Sequence, residues 1–361
     1  MTSQPETPVK IGVLVVDDSA FMRTALSRMI NSDPALFVVG TACNGNEALE
    51  KIPALNPDVI TLDVEMPGLD GLGTLRCIRA RYPRPVIMVS SATVADAKIT
   101  FEALGAGAFD YVPKRLSSTS LDIIHIRHDL IAKLKAAAES QQRHALVRDR
   151  KPPQSTNGLD WENSSINPAI VAIGTSTGGP QALEVILTQL PADLSVPVLV
   201  VQHMPPGFTK PFAERLNTVC AVKVQEASHR EPLRRGVVYI APAGIHVTVE
   251  RPSSTLALIN LTPEPGDSLH IPSVDVMMAS VAAEFRTLAM GVILTGMGSD
   301  GAQGMSAIQR AGGITIGQDE SSCVVYGMPR ACAELGILQR VVPLSQVSQH
   351  ILQATHYRKL A

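Results

Sequence analysis

Residues 11–16 form an unbroken apolar run that stops on Asp17 and Asp18. A run so short, ended by charge, fits a strand buried on both faces, as parallel sheets require. Helical spacing follows over 19–30, and the alternation then repeats. Strand-like runs fall at 37–42, 58–62, 86–89 and 109–112, and helical ones at 45–52, 72–81, 95–104 and 121–138. Parallel strands need crossover connections, and helices at this spacing supply them. The expectation is a doubly wound parallel α/β sheet for residues 1–138.

Residues 139–167 lose this rhythm. They are rich in Pro, Ser, Asn, Gln and Arg and contain Trp161, so they read as an inter-domain linker. A second α/β unit is expected over 168–361. A strand at 170–173 leads through Gly174-Thr-Ser-Thr-Gly-Gly179 into a helix at 181–189. Strands at 198–201, 291–294 and 313–316, with helices from 211 and at 274–283, 301–310 and 344–354, continue a second doubly wound, Rossmann-like sheet. Residues 237–240 and 246–249 flank Ala241-Pro-Ala-Gly-Ile245 and read as a hairpin, with 255–261 as a third strand of an antiparallel insertion.

A chain of 361 residues exceeds what one core serves, and a 45% hydrophobic share can fill two. Lys plus Arg total 31 against 33 Asp plus Glu, which leaves no bulk field to attract nucleic acid or anionic membrane. The cysteines, Cys43, Cys77, Cys220, Cys323 and Cys332, are odd in number and form no CxxC pair. Reduced thiols are expected, not a disulfide framework or zinc site, with Cys323 as a buried thiol. No apolar run is long enough to span a bilayer, and the first ten residues lack a signal core. A cytoplasmic protein without membrane insertion is expected.

Loops at the carboxyl ends of a doubly wound sheet form its ligand crevice. Asp17 and Asp18 end the first strand there, and Asp63 follows the third. Such carboxylates repel one another unless a cation binds, and hard oxygen ligands suit Mg²⁺. A carboxylate beside Mg²⁺ can attack a phosphoryl group and become an aspartyl phosphate. Ser90, after the fourth strand, can donate to that group, and Lys114, after the fifth, can offset its charge. Taken singly, the aspartates are helix caps and the lysine is surface charge. Five such positions at successive strand ends favour one site. Val15-Val-Asp-Asp-Ser19, Leu62-Asp-Val-Glu-Met-Pro-Gly68 and Tyr111-Val-Pro-Lys114 resemble the CheY-like receiver domain of response regulators. The resemblance implies phosphorylation on Asp63 and Mg²⁺ held by Asp17, Asp18, Asp63 and the Glu65 carbonyl. It also implies Ser90 and Lys114 as phosphoryl sensors and Tyr111 as the switch aromatic. Arg115 stands where the family usually has proline.

In the second unit, Gly174-Thr-Ser-Thr-Gly178 fits the G-x-S-x-G turn that exposes a nucleophilic serine between strand and helix. A Gly-rich turn of this kind also cradles dinucleotides, but that reading expects an acidic residue after the next strand. Gln202 and His203 stand there instead. A serine needs a base and the base an orienting carboxylate. His203 and Asp300 fall on the same rim, with His246 and His270 as rival bases and Asp275 and Asp319 as rival acids. Ile173-Gly-Thr-Ser-Thr-Gly-Gly-Pro180, Gln202-His-Met-Pro-Pro-Gly-Phe-Thr209, Pro272-Ser-Val-Asp275, Leu294-Thr-Gly-Met-Gly-Ser-Asp-Gly301 and the 318–329 segment resemble the CheB family of protein-glutamate methylesterases and glutaminases. The resemblance implies Ser176 as nucleophile, His203 as base, Asp300 as orienting acid, and backbone N–H groups near Met297 and Thr177 in an oxyanion site. Ile271 replaces an arginine expected before Pro272.

The implied chemistry is hydrolysis of glutamate methyl esters on methyl-accepting chemoreceptors, releasing methanol, and deamidation of glutamines, with no cofactor in this half. The implied phosphodonor is a CheA-type histidine kinase, and the unphosphorylated receiver inhibits the catalytic domain. Other classes stay in view. A DNA-binding output is countered by a strand-rich second unit and a chain that is not basic. A scaffold with a decayed site is countered by intact Ser176, His203 and Asp300, and a nicotinamide enzyme by Gln202 and His203.

Overall fold

The computed structural model describes residues 10–91, 94–114, 120–147, 167–266 and 268–355. The chain divides into two compact units, Met1–Arg150 and Lys151–Ala361. Among the described residues, no helix is long and apolar enough to cross a membrane.

The first unit runs β1 (Ile11–Val16), α1 (Ala20–Asn31), β2 (Leu36–Ala42), α2 (Gly45–Leu55), β3 (Val59–Asp63), α3 (Gly71–Arg81), β4 (Val86–Ser90), α4 (Val94–Gly105), β5 (Asp110–Pro113) and α5 (Ser120–Val147). Its parallel sheet has the order β2-β1-β3-β4-β5. The chain winds one way from β1 to β2 and the other way from β3 onward, so the crevice opens between the ends of β1 and β3. Local sequence sets the helix starts. Asn44 caps α2 by accepting from Glu47 N at 2.9 Å, while the Glu47 carboxylate accepts from Cys43 N at 2.6 Å. Asp70 caps α3 by accepting from Gly73 N at 2.7 Å, and such a cap contributes about 1 kcal/mol. Helix α5 continues past the expected end at 138 to Val147, so the first part of the expected linker is helical. Residues 148–166 of it, with Trp161, and Arg115 lie outside the described residues.

The second unit runs β6 (Ile170–Thr175), α6 (Gly179–Leu187), β7 (Val198–Gln202), α7 (Thr209–Val219), β8 (Lys223–Glu226), β9 (Val237–Ile240), β10 (His246–Glu250), β11 (Leu258–Thr262), α8 (Val274–Phe285), β12 (Ala289–Ile293), α9 (Ala302–Arg310), β13 (Ile314–Gln318), α10 (Met328–Glu334), β14 (Arg340–Val342) and α11 (Leu344–Ala354). Its parallel sheet has the order β14-β13-β12-β6-β7-β9-β8. Here β6 is the switch strand, flanked by β7 and β12.

The hairpin expected between 237–240 and 246–249 does not form. β9 pairs in parallel with β7 and β8, while β10 pairs antiparallel with β11. Burial gives the reason. Every residue of β9 is buried, as suits a strand inside a parallel sheet, whereas β10 mixes buried and half-buried positions. The β10–β11 ribbon is the antiparallel insertion. It is tied to α8 through Val249 N to Ser280 Oγ at 3.1 Å and continues to Arg251 N, which donates to Glu284 Oε2 at 3.0 Å.

Candidate functional site

In the first unit, Asp17, Asp18 and Asp63 each offer a carboxylate oxygen within 4.8 Å of the others. Asp17 and Asp63 are buried, and Asp18 is exposed. Lys114 N donates to Ser90 O at 2.7 Å, which sets the lysine beside the pocket. Its Nζ then reaches Asp17 Oδ2 at 3.0 Å and Asp63 Oδ2 at 2.6 Å. Burial pushes the Asp63 carboxyl up to about 6, against the pull of Lys114 and with the help of Asp17. Burial also works against the Lys114 charge, but its two carboxylate partners outweigh that and raise its pKa. Crowded, hard, anionic oxygens of this kind fit a small divalent cation. Glu65 follows on an exposed loop, its N–H donating to Asp63 Oδ1 at 3.2 Å. The Ser90 hydroxyl donates to Ser91 O at 3.1 Å and accepts from Thr100 at 2.9 Å. Tyr111 is buried edge-on to Phe101, with Lys133 Nζ 5.3 Å from its ring centre.

In the second unit, Thr175 of β6 pairs with Gln202 of β7, and Gly174 pairs with Ile293 of β12. Ser176, His203 and the 294–300 loop therefore leave three adjacent strands, spaced about 4.8 Å apart, on one edge. The serine turn is held from both sides. Ser176 N donates to Thr295 O at 3.1 Å, and Ser176 O accepts from Gly179 N at 2.8 Å and Gln202 Nε2 at 2.9 Å. Gly178 completes the turn at φ +75, a left-handed conformation that favours glycine. Gly296 lets the β12 loop close on the serine, since a Cβ there would stand 2.9 Å from Ser176 Cβ.

His203 Nε2 lies 2.8 Å from Asp300 Oδ2. With that nitrogen donating to the carboxylate, the buried Nδ1 carries the ring's lone pair. Asp300 also accepts from Ser273 Oγ at 2.8 Å, Val274 N at 2.7 Å and Asp275 N at 3.0 Å. Ser273 is the N-cap of α8, so the carboxylate sits on a helix N-terminus, where free N–H groups and the dipole favour negative charge. Burial alone would raise the Asp300 pKa. The His203 bond and the α8 N–H groups reverse this and hold it well below the usual carboxylate range. A half-exposed serine beside a carboxylate-oriented imidazole can carry out acyl transfer.

Residues 171–351 match the CheB methylesterase family, and residues 13–124 match the response regulator receiver domain. A protein-glutamate methylesterase/protein-glutamine glutaminase of Symbiobacterium thermophilum is 47% identical across 98% of this chain and 99% of its own length. Protein-glutamate methylesterase/protein-glutamine glutaminase 2 of Nitratidesulfovibrio vulgaris is 45% identical across 96% of this chain and all of its own. The chain belongs to the CheB methylesterase family. The CheB methylesterase catalytic domain of Thermotoga maritima superposes on 52% of this CheB-family chain and 99% of its own, with TM-score 0.50 at 36% identity.

The rival residues of this CheB-family chain have other partners. His246 is fully buried, accepting from Ser273 N at 3.1 Å through Nδ1 and facing Pro265 O at 3.0 Å through Nε2. His270 stacks on His203. Asp275 accepts from Gly304 N at 2.7 Å, joining α8 to α9, and Asp319 accepts from Ser321 Oγ at 2.6 Å and Ser322 N at 3.1 Å. Among the described residues no hydrogen bond engages Thr177 N or Met297 N, the expected oxyanion donors. Ile271 presents its carbonyl to Gly244 N at 3.0 Å. Cys323 is only half-buried. The buried thiol is Cys332, which burial pushes up to about 12. Sequence reasoning missed Ser273. A serine opening an apolar helical run signals an N-cap, but only the fold places Asp300 on that cap.

Proposed function

We propose that the chain is a protein-glutamate methylesterase and protein-glutamine glutaminase that acts on methyl-accepting chemoreceptors under phosphorylation control, in a cytoplasmic chemosensory pathway. Ser176 Oγ attacks the ester carbonyl while His203 Nδ1 takes its proton, and Asp300 steadies the imidazolium. Thr177 N and Met297 N receive the oxyanion. The proton passes to the leaving methoxide, methanol departs, and water activated by His203 hydrolyses the acyl-enzyme to glutamate. On glutamine the same steps release ammonia. The observation that carries this reading is the 2.8 Å His203–Asp300 pair on the strand edge next to Ser176. The test is labelled methanol release from methylated receptor membranes. Ser176→Ala is expected to abolish it without unfolding the protein, and near-normal release by that variant removes the assignment.

Control belongs to the first unit. Asp63 accepts a phosphoryl group from a CheA-type histidine kinase. Asp17, Asp18, Asp63 and the Glu65 carbonyl hold Mg²⁺, which when bound offsets phosphoryl charge. Ser90 and Lys114 then bond the phosphoryl oxygens, which draws both away from their present partners and biases the Tyr111 face. The unphosphorylated receiver holds activity down. Full-length protein is expected to gain activity on adding a small phosphodonor, and Asp63→Asn to stay at the basal rate. Equal stimulation of Asp63→Asn rules out this control.

A further inference from the structure

The His270 ring lies face to face with that of His203, centroids 4.1 Å apart and planes 17° from parallel. We propose that His270 is a positioning residue for the esterase, fixing the plane of the His203 ring that Asp300 holds by one nitrogen. This rests on the reading of His203 as the base. A single bond to Asp300 fixes where Nε2 sits. It leaves the ring free to turn about that bond, and a small misalignment of a proton acceptor slows its transfer. A flat ring against one face removes this freedom, because aromatic faces pack in preferred parallel or edge-on arrangements.

The loop that carries His270 is itself tied down. Gly244 N bonds Ile271 O at 3.0 Å, and Ser273 N bonds the buried His246 at 3.1 Å. Ser273 Oγ then bonds Asp300. One segment, residues 270–275, thus grips both members of the pair: the acid through the start of α8 and the base through the His270 ring. The stack has a further effect on the chemical step. When His203 takes the serine proton, the stacked ring keeps the imidazolium in the plane that the imidazole held. Both effects act on the transition state and leave substrate binding alone, so they register in kcat and not in KM.

The experiment measures kcat and KM for methanol release by phosphodonor-treated full-length protein, comparing wild type, His270→Gln, His270→Phe and Ser176→Ala. His270→Gln is expected to lose roughly tenfold in kcat with KM within about twofold, and His270→Phe to restore kcat to within about threefold of wild type. A Gln variant with wild-type kcat, a Phe variant as slow as Gln, or a loss confined to KM overturns the proposal. The wild-type protein gives a second reading that needs no variant at position 270 to fold. The His203 ring-proton resonance, assigned by its disappearance in His203→Gln, is expected to be displaced by the neighbouring ring current, and an undisplaced resonance overturns the stack. If Ser176→Ala still releases methanol, the esterase reading fails. If it is silent while His270→Gln is unimpaired, the stacking proposal alone fails.

Discussion

At the β1–β3 edge, Asp17 and Asp63 share Lys114 while Asp18 stands beside them. At the β6–β12 edge, the single carboxylate of Asp300 receives His203 Nε2, Ser273 Oγ and two main-chain N–H groups. Both edges flank the switch point of a parallel sheet, yet they treat buried charge in opposite ways. Burial leaves Asp63 raised to about 6, whereas the donors around Asp300 pull it below the ordinary range. On the proposed function, the surplus negative charge of the first pocket is what a cation and a phosphoryl group would act on. On the same reading, the satisfied charge of the second pocket would hold one geometry through each turnover.

The contrast can be broken by mutation. The largest effect is expected from Asp300→Asn, which loses the anion that steadies His203, with kcat falling about 10⁴-fold in the methanol assay. Combined with Ser176→Ala it is expected to add little, because the residues act as a unit. Next is Asp63→Asn, which should remove acid-labile phosphoryl labelling and leave the basal esterase rate within about twofold. Ser273→Ala removes one Asp300 donor and the α8 cap. We expect about tenfold in kcat and about 1 kcal/mol in stability, read by urea unfolding. Adding Mg²⁺ should raise the melting temperature of wild type by a few degrees through mass action, and Asp18→Asn should blunt that rise.

The smallest effect is a pH dependence. Because the folded Asp300 pKa is depressed, its ionised form stabilises the fold above the ordinary carboxylate value of 3.8. That contribution is lost as pH falls through the folded value. The stability gap between wild type and Asp300→Asn should therefore be widest near neutrality and narrow below about pH 4. A gap that widens on acidification contradicts the assignment of these donors.

Both parallel sheets and their edge residues were legible in the sequence because apolar runs ended on polar residues with chemistry, Asp17, Asp63, Ser176 and His203. The errors fell where pattern underdetermines pairing. Residues 237–240 and 246–249 are near in sequence with Pro242 and Gly244 between them, which reads as a hairpin. The unbroken apolar run of Val237–Ile240 against the alternating His246–Glu250 was the available counter-signal. Strand β8, Lys223-Val-Gln-Glu226, is a short polar edge, and β14 has three residues, too few for any period to register. Ser273 stayed hidden, and His270 read only as a rival base, for another reason. Each meets its partner far along the chain, Ser273 with Asp300 and His270 with His203, and only the fold brings them together.

The Asp300 site has a consequence for how freely this enzyme can drift. Two of its donors, Val274 N and Asp275 N, belong to the main chain. Apolar side chains of similar volume can be exchanged at position 274 without deleting them. Proline is the exception. It fits the first turn of a helix but carries no N–H. Val274→Pro should therefore erase one hydrogen bond to the carboxylate while keeping the helix start, a substitution that a backbone-tolerant fold would accept and a working esterase would select against.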